Sequence, residues 1–538
     1  MACCLEFATG AGILAARPVD SAPMSDRRRL AASTAAFGSA TALSRVAGVV
    51  REQAAAYYFS TGPALGAFLI AFNVPNLIRS LVADTAISAA FVPVFVELRE
   101  QGREPEAWRV ASIVLWLAAI VLGAISAVFI IAAPWIMPLF VPGDQHIDPD
   151  LVVKLSQYLF PIVVILGMTG VITGILNSYD IFGVPAIAPV AWNGIIILAL
   201  VLFAGDITAY AIGVLIATVS QLLIPLPLMR GRSHFVVSLA WRHPDVQRIL
   251  RQMLPVTLGL GLINFNLTLD LVIATLSAPH ADADLNYAFR LFMLPQGLFS
   301  VAVTVVLFPE ISRLIARGDT PGFARTVSGG ARAIVFLLLP ATAVSIALAA
   351  PIVRLIFEHG SFGSSDTSHV AATLAAFSLG LVANGLSLLL TRAFFALQEA
   401  RVPTQVAVAN LFLNLFLDLA LYKPFGAAGI ALATAIVTTF NAVVLAILLS
   451  RRVGTLHVRE VAGEAARIGV ATVYCTAAAF GVWWPLDQLL GRSLPAQLAS
   501  VGLGLAAGAG AYLAAGRILH LAEMDVLASL ARRRERAG

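Results

Sequence analysis

Charged residues are scarce in this chain, and their scarcity excludes an ordinary soluble protein. Only 12% of the 538 residues are charged, whereas 59% are hydrophobic. A soluble domain carries roughly a quarter charged residues. Lysine is almost absent, with Lys154 and Lys423 the only two, a bias that we interpret as genomic composition. The balance predicts a protein that crosses a membrane many times.

The chain also lacks the residues and motifs of several kinds of site. Its three cysteines, Cys3, Cys4 and Cys475, have neither metal-site nor disulfide spacing. There is no P-loop, no H-E-x-x-H and no G-x-S-x-G motif. These absences argue against an ATPase or another membrane enzyme. We therefore predict that the protein is not an enzyme, and that any energy comes from an ion gradient, the membrane potential or substrate supply.

Long apolar segments fill most of the chain. A helix of about 20 apolar residues spans a bilayer, and fourteen segments reach that length. They predict an all-α polytopic membrane protein with about 14 transmembrane helices. The predicted spans lie near residues 33–59, 65–98, 107–139, 151–178, 185–204, 208–229, 247–278, 285–314, 329–357, 367–397, 402–422, 427–450, 464–485 and 495–519.

Arginines in the loops predict the orientation. They concentrate at both ends and in the loops after even-numbered spans, as at Arg99 and Arg103, whereas the opposite loops are nearly free of them. Because cytoplasmic loops are enriched in basic residues, we expect a multi-pass plasma-membrane protein with both termini cytoplasmic. Residues 1–26 are predicted to be a disordered N-terminal extension, with Met24 as an alternative start. The basic tail, 521–538, is expected to contact anionic membrane lipids and not nucleic acid.

The sequence repeats itself once. AFNVPNLIRSL (71–81) resembles AFRLFMLPQGL (288–298), and GILNSYDIFGVPAIAPVAWN (174–193) resembles RAFFALQEARVPTQVAVANL (392–411), at an offset of about 218 residues. Each copy holds six spans, so both copies have the same orientation and an axis along the membrane normal should relate them. We predict two six-helix lobes, 27–230 and 245–451, related by a pseudo-two-fold axis. Two additional transmembrane helices follow at 463–520.

Four arginines fall inside predicted spans: Arg45, Arg51, Arg79 and Arg290. An arginine at mid-bilayer depth costs about 2.5–3.5 kcal/mol on insertion scales, so such residues normally face a polar cavity. A guanidinium binds phosphate oxygens bidentately, and the set therefore predicts a substrate-binding site for an anion. Arg45 and Arg51 project roughly 120° apart on a helix. Snorkelling to the interface, or salt bridges that close the lobes, are the alternative roles.

A second polar group lies in later spans. Asp270 lies in the seventh span, and Asn414 and Asp418 are one helical turn apart in the eleventh. Two carboxylates with amide and hydroxyl oxygens suit a hard monovalent cation or a proton. Hydrogen bonding between helices is the alternative, since Asn and Thr commonly join helices in membranes.

Five segments of the chain resemble one known family: Ser44–Glu52, Asn73–Arg79, Ala89–Val94, Phe357–Phe362 and Arg392–Thr404. They resemble the MurJ/MviN family of lipid II flippases, which belongs to the multidrug/oligosaccharidyl-lipid/polysaccharide exporter superfamily. The resemblance runs from about residue 30 to 520 and includes the fourteen-span count.

The family implies transport of undecaprenyl-pyrophosphate-linked peptidoglycan precursor to the outer leaflet by alternating access. It implies that the four arginines are cavity residues and that lipid II, membrane lipids and candidate cell-wall synthesis proteins are the partners. It also implies no cofactor other than sodium, bound by the side chains of Asp270, Asn414, Asp418 and Thr434 and a backbone oxygen near Ile430. The expected location is the bacterial plasma membrane.

The chain departs from the family at a few positions, and three other functions stay open. Gly66 stands where many relatives have an acidic residue, Ser80 follows Arg79 where relatives often have a second arginine, and the downstream acidic position is Asp84. A flippase for another polyprenyl-pyrophosphate-linked oligosaccharide would use the same pyrophosphate chemistry. A non-transporting cell-wall scaffold would not need the arginines. A drug antiporter would favour acids and aromatics in the cavity, which the arginines and Gly66 argue against.

Overall fold

The computed structural model describes residues 43–82, 85–141, 147–179, 181, 183–203, 205–229, 235–278, 280–454, 458–521 and 523–524. Every regular element within these ranges is a helix, which confirms the prediction of an all-α fold. The predictions for residues 1–26, for Asp84 and for the arginines of the basic tail lie outside the described residues. So does the side chain of Arg79, although its backbone is helical.

By its contacts the chain forms two compact units. The first unit comprises the described residues up to Ala283 together with Gly360–Phe362. Its helices are α1 (residues 43–59), α2 (Pro63–Val82), α3 (Thr85–Glu100), α4 (Glu104–Ile136), α5 (Pro149–Leu159), α6 (Pro161–Ser178), α7 (Gly183–Leu202), α8 (Ile207–Leu223) and α9 (Pro244–Thr275).

The second unit comprises Asp284–His359 and the described residues from Gly363 onward. Its helices are α10 (Ala281–Pro295, whose first turn is counted with the first unit), α11 (Val301–Ala316), α12 (Thr320–Ala347), α13 (Ala349–Phe357), α14 (Ser364–Ser378), α15 (Leu381–Ala396), α16 (Arg401–Val453), α17 (Val458–Leu490) and α18 (Leu494–Ile518).

Within the described residues, each of the fourteen predicted spans lies in one helix or in consecutive helices. Residues 33–42 of the first predicted span lie outside the described residues. Among the described residues, eight helices are long and apolar enough to cross a membrane, or nine if the bent pair α14–α15 is one span. The 53-residue α16 contains the two predicted spans 402–422 and 427–450, and its path breaks at Gly426, where φ is 58°. Gly adopts this left-handed conformation readily. The helix α9 packs on α2 and α3, and the predicted lobe boundary between residues 230 and 245 stays a prediction.

The second unit contains an irregular helical turn. The π-helical turn Gln296–Ser300 separates α10 from α11. Single π-turns inside helices are uncommon. The internal repeat and its pseudo-two-fold axis stay a prediction.

Aromatic side chains fill the core of the first unit at one end of α3 and α4. Trp108 is fully buried, and its ring meets the edge of Phe95 at 5.8 Å between centroids. Tyr179, just after α6, closes the cluster 6.4 Å from Trp108. Val246 and Ile249, in the first turns of α9, belong to the same core. This packing therefore holds the start of α9 at that end of the first unit.

The last two helices pack closely through glycine. Gly504 and Gly508 lie one turn apart on α18, and a Cβ atom at either position would be 2.9 Å from an atom of Ala479 on α17. Small residues at this spacing allow helix backbones to approach closely in a membrane. Tyr512 ties α18 to α12 by donating a hydrogen bond to the carbonyl oxygen of Phe336 at 2.6 Å.

Candidate functional site

Arg51 is buried on α1 beside a carboxylate and an aromatic ring. Only 9% of the residue is exposed, its guanidinium pairs with Glu52, and its Cζ lies 4.9 Å from the centroid of the Trp192 ring on α7. Trp192 is itself held by α8, because its Nε1 donates to the Thr218 hydroxyl at 3.1 Å. In this arrangement the charge of Arg51 is largely offset by Glu52.

Arg45 lies on the same helix but in a different direction. Gly48, midway between the two arginines, faces α7, where its Cβ position would be 4.0 Å from Asn193 Oδ1. At about 100° per residue, Arg45 and Arg51 point to either side of Gly48. Arg45 is half-buried. The predicted divergence of the two side chains thus fits the helix packing.

The other two predicted arginines lie on α2 and α10. Arg79 is in the last turn of α2, in the first unit. Arg290 is on α10, in the second unit, and is exposed at the protein surface.

The predicted ion ligands of the second unit all lie on α16. Asp418 is fully buried and Asn414 is 2% exposed. Asn414 Nδ2 donates a hydrogen bond to Asp418 Oδ2 at 2.6 Å. On the far side of the break, the Thr434 hydroxyl donates to the carbonyl oxygen of Ile430 at 3.1 Å. The hydrogen bond between Asn414 and Asp418 joins residues of one helix, whereas the sequence alternative was a bond between helices.

The break at Gly426 lays the two arms of α16 side by side. Asn410 Nδ2 donates to Asn441 Oδ1 at 2.9 Å, and the Leu421 carbonyl oxygen would be 2.2 Å from a Cβ at Gly429. The two arms are therefore in contact, with Asn414 and Asp418 on the first arm and Ile430 and Thr434 on the second.

Asp270, the remaining predicted ion ligand, belongs to the first unit. It lies near the end of α9 and is 9% exposed. A buried carboxylate in an apolar helix is costly, and the role of Asp270 as an ion ligand stays a prediction.

A polar network at the π-turn was missed by sequence reasoning. Gln296 Nε2 donates to Asn384 Oδ1 on α15 at 2.7 Å, and the Ser300 hydroxyl donates to Gln296 Oε1 at 3.1 Å. Gln296 and Ser300 are buried. The signal in the sequence was a glutamine directly after Pro295 in an apolar span. The network lies six residues beyond Arg290 and fixes the irregular turn below it.

Another missed cluster surrounds Arg99 at the end of α3. Arg99 donates to the Ser178 carbonyl oxygen at 2.6 Å and lies 3.6 Å over the ring of Tyr179. The Tyr179 hydroxyl donates to Glu104 at 2.9 Å. Burial, and then this hydrogen bond, raise the pKa of Tyr179. The phenol therefore stays protonated, and the cluster holds the ends of α3, α4 and α6 together.

An apolar groove opens on the surface of the second unit. It has a volume of about 450 Å³ and lies between α12 and α17. Its walls are almost wholly apolar. They are formed by Ala343, Ala347, Thr472, Val473, Thr476, Ala477 and Phe480. A groove of this chemistry fits a hydrocarbon chain rather than a charged ligand.

The family model described as lipid II flippase MurJ matches residues 55–499, most of the chain and nearly all of the described helices. The chain belongs to the MurJ lipid II flippase family. This membership confirms the sequence resemblance. It identifies a transporter rather than an enzyme, and a multi-pass protein of the bacterial inner membrane.

Two relatives show how far the likeness extends. The "Probable lipid II flippase MurJ" of Rhizobium tropici is 34% identical over 429 residues, covering 77% of this chain and 80% of the relative. The "Lipid II flippase MurJ" of Burkholderia cenocepacia is 30% identical over 424 residues, covering 77% and 82%.

Solved structures agree in fold. A lipid II flippase MurJ in an inward closed conformation superposes with a TM-score of 0.75 at 24% identity, covering 90% of this chain and 98% of that one. An inward-facing multidrug resistance transporter of the MATE family and the MOP superfamily gives 0.67 at 16% identity, covering 76% and 95%. These likenesses show a shared fold.

Proposed function

We propose that this chain moves lipid II, the undecaprenyl-pyrophosphate-linked peptidoglycan precursor, from the inner to the outer leaflet by alternating access. Membership of the MurJ family carries the proposal. The four arginines support it, because a transporter of an anionic headgroup needs guanidinium groups in otherwise apolar helices.

Arg45, Arg51, Arg79 and Arg290 would bind the pyrophosphate. A planar guanidinium offers paired donors to two phosphate oxygens, which lysine cannot do. Arg51 is paired with Glu52 in this structure, so it would reach the substrate only if that pair opens or is shared. Arg45, Arg79 and Arg290 would then provide the larger part of the attraction.

The groove between α12 and α17 would take the lipid tail. Its apolar walls offer no hydrogen-bond partner for a polar headgroup. A polyprenyl chain needs no such partner, because these walls are as apolar as the lipid around it. Headgroup and tail would thus be bound by different parts of the protein.

A sodium ion would bind at Asp270, Asn414, Asp418 and Thr434, with the Ile430 carbonyl oxygen. The second-unit residues support this proposal because they place carboxylate, amide, hydroxyl and carbonyl oxygens within one broken helix. Oxygen ligands of this kind suit a hard cation. Sodium binding would reset the transporter after the lipid leaves.

Both termini would be cytoplasmic, since the arginine-rich loops would then lie on the cytoplasmic side. Lipid II and membrane lipids would be the partners, with cell-wall synthesis proteins as further candidate partners.

Reconstitution tests the function directly. Full-length protein in vesicles, supplied with fluorescent lipid II, should expose the headgroup on the opposite leaflet faster than protein-free vesicles do. Arg45→Ala, Arg79→Ala and Arg290→Ala should each abolish this gain, whereas Arg317→Gln, which removes an exposed charge between helices, should not.

Two outcomes would refute the proposal. Equal rates with and without protein would favour the scaffold, and a faster rate for another polyprenyl-pyrophosphate oligosaccharide than for lipid II would favour the alternative flippase.

A further inference from the structure

Residues 235–243, which we name the linker segment, directly precede α9. They form no helix between 235 and 240. Four of their apolar side chains are strongly exposed: Val236 at 56%, Val237 at 77%, Leu239 at 51% and Trp241 at 52%. Exposed apolar residues this close together usually mark an interaction surface.

The linker segment is not loose, because α4 holds it at both ends. The Phe235 ring meets Trp108 edge-on at 5.3 Å between centroids, and the Val236 backbone N–H donates to the Ser112 hydroxyl at 3.0 Å. At the other end, His243 Nε2 lies 3.7 Å from Glu106 Oε1. The linker segment thus runs along the first turns of α4, from Ser112 to Glu106, towards the start of that helix.

The length of α4 sets the depth of this segment in the membrane. Together with its final 3₁₀ turn, α4 is 37 residues long, whereas about 20 residues cross the hydrocarbon core. If the excess is shared between the ends, Ser112, the ninth residue, lies at the edge of the core. Val236 and Val237 would then meet the acyl chains, and Trp241 would lie at the level of the headgroups, where tryptophan is enriched.

Arginine accompanies the apolar residues at the shallow end. The Arg242 guanidinium lies 5.0 Å over the Trp241 ring, and Arg109, Arg248 and Arg251 are exposed nearby on α4 and α9. Glu106 pairs with Arg103, and Glu97 pairs with Arg248. Among the described residues, neither Arg242 nor Arg251 forms an ion pair. The surface therefore presents apolar groups backed by positive charge.

We propose that the linker segment is an interfacial anchor that binds anionic phospholipid headgroups through Arg242 and Arg251 while Val237, Leu239 and Trp241 insert among the lipids. The chemistry is that of monotopic membrane segments, in which apolar burial and attraction to anionic lipids act together. The cytoplasmic leaflet follows from the orientation proposed above, whereas the anchor itself does not depend on lipid II transport.

Trp241 provides the probe. Full-length protein is reconstituted in phosphatidylcholine vesicles, with or without phosphatidylglycerol, that contain lipids brominated either near the glycerol or near the chain end. The fluorescence of Trp241 is obtained as the difference between wild type and Trp241→Phe. We expect bromines near the glycerol to quench Trp241 more strongly than bromines near the chain end, and aqueous iodide to quench it little. Phosphatidylglycerol should increase the quenching by the brominated lipids further.

Charge variants test the headgroup contact. Arg242→Gln combined with Arg251→Gln should remove the increase in lipid quenching that phosphatidylglycerol causes, whereas the matched variant Arg317→Gln should keep this increase. If Arg317→Gln also loses the increase, or if the wild type shows none, the proposed binding of anionic headgroups is wrong.

Access to water tests the insertion. Quenching of Trp241 by iodide but not by brominated lipids would overturn the anchor and leave the surface free for a protein partner or a second copy. If Trp241→Phe does not fold, a fluorophore on Val237→Cys gives the same readout. Labelling of that cysteine by an impermeant reagent from outside whole cells would overturn the cytoplasmic leaflet without affecting the transport proposal.

Discussion

Gly66 on α2 lies directly against the carboxylate of Asp282 in the first turn of α10. A Cβ atom at position 66 would be 2.6 Å from Asp282 Oδ2 and 3.0 Å from the Ile147 side chain. Asp282 is 1% exposed, so it has little space into which to move. In this chain the carboxylate of another helix fills the space beside Gly66.

Gly66→Ala should therefore destabilise the protein, by about 1–3 kcal/mol as expected for overpacking, and Gly66→Asp should do so more strongly because two carboxylates would meet. Adding Asp282→Ala to Gly66→Asp should recover much of the loss. Thermal unfolding of purified protein measures each step. Gly123→Ala is the matched control, since a Cβ atom there has nothing within 4 Å. Equal effects at positions 66 and 123 would contradict the contact.

Sodium should stabilise the wild-type protein and not Asp418→Asn. A ligand at 100 times its Kd adds about 2.7 kcal/mol to folding stability, and removing the buried charge of Asp418 should abolish that gain. The unfolding temperature is measured in sodium and in potassium at equal ionic strength. Asn441→Ala, which breaks the hydrogen bond to Asn410 on the same pair of arms, should keep the sodium effect. A sodium effect that persists in Asp418→Asn would argue for hydrogen bonding alone.

A buried ion pair should make α17 sensitive to a single substitution. Arg354 on α13 pairs with Asp487 on α17, with side chains 12% and 9% exposed. Asp487→Ala leaves a buried guanidinium without this partner and should cost about 3–5 kcal/mol, whereas Arg354→Met with Asp487→Leu should cost far less. The exposed pair of Arg313 and Glu310 is the control, because Glu310→Ala should change stability by at most about 1 kcal/mol. Similar losses in Asp487→Ala and the double variant would show that packing, not charge, matters there.

Filling the apolar groove should stop transport without unfolding the protein. Ala343→Trp and Ala477→Trp place an indole among the groove walls, which would displace a lipid chain. We expect the vesicle assay to lose most of its lipid II signal while the unfolding temperature changes little. Ala506→Trp, on the exposed surface of α18, should transport normally. Normal transport by both groove variants would exclude the groove as the tail site.

Much of the fold followed from the sequence because helices form by local rules. In a bilayer every backbone donor and acceptor must be satisfied within the segment, so a long apolar run has to be a helix. Within the described residues, the predicted segments coincide with helices for this reason. The boundary predicted between the spans 402–422 and 427–450 falls at the break in α16 at Gly426.

Side-chain partners could not be read in the same way. The sequence predicted Arg51 as a ligand of an anion, with a salt bridge as the alternative. Only the packing of α1 on α7 showed that the Arg51 side chain lies between Glu52 and Trp192. The groove between α12 and α17, the glutamine network at the π-turn and the contact of Gly66 with Asp282 depend on residues far apart in the chain.

By itself, then, the amino-acid order determined that this chain is a helical membrane transporter with arginines inside its predicted spans, together with the approximate bounds of those spans. The tertiary structure alone decided which faces of those helices meet and which polar groups pair. The reason is that lipid chains are as apolar as a protein interior, so hydrophobicity does not distinguish an inward face from an outward one. Steric fit and hydrogen bonding between distant segments make that distinction.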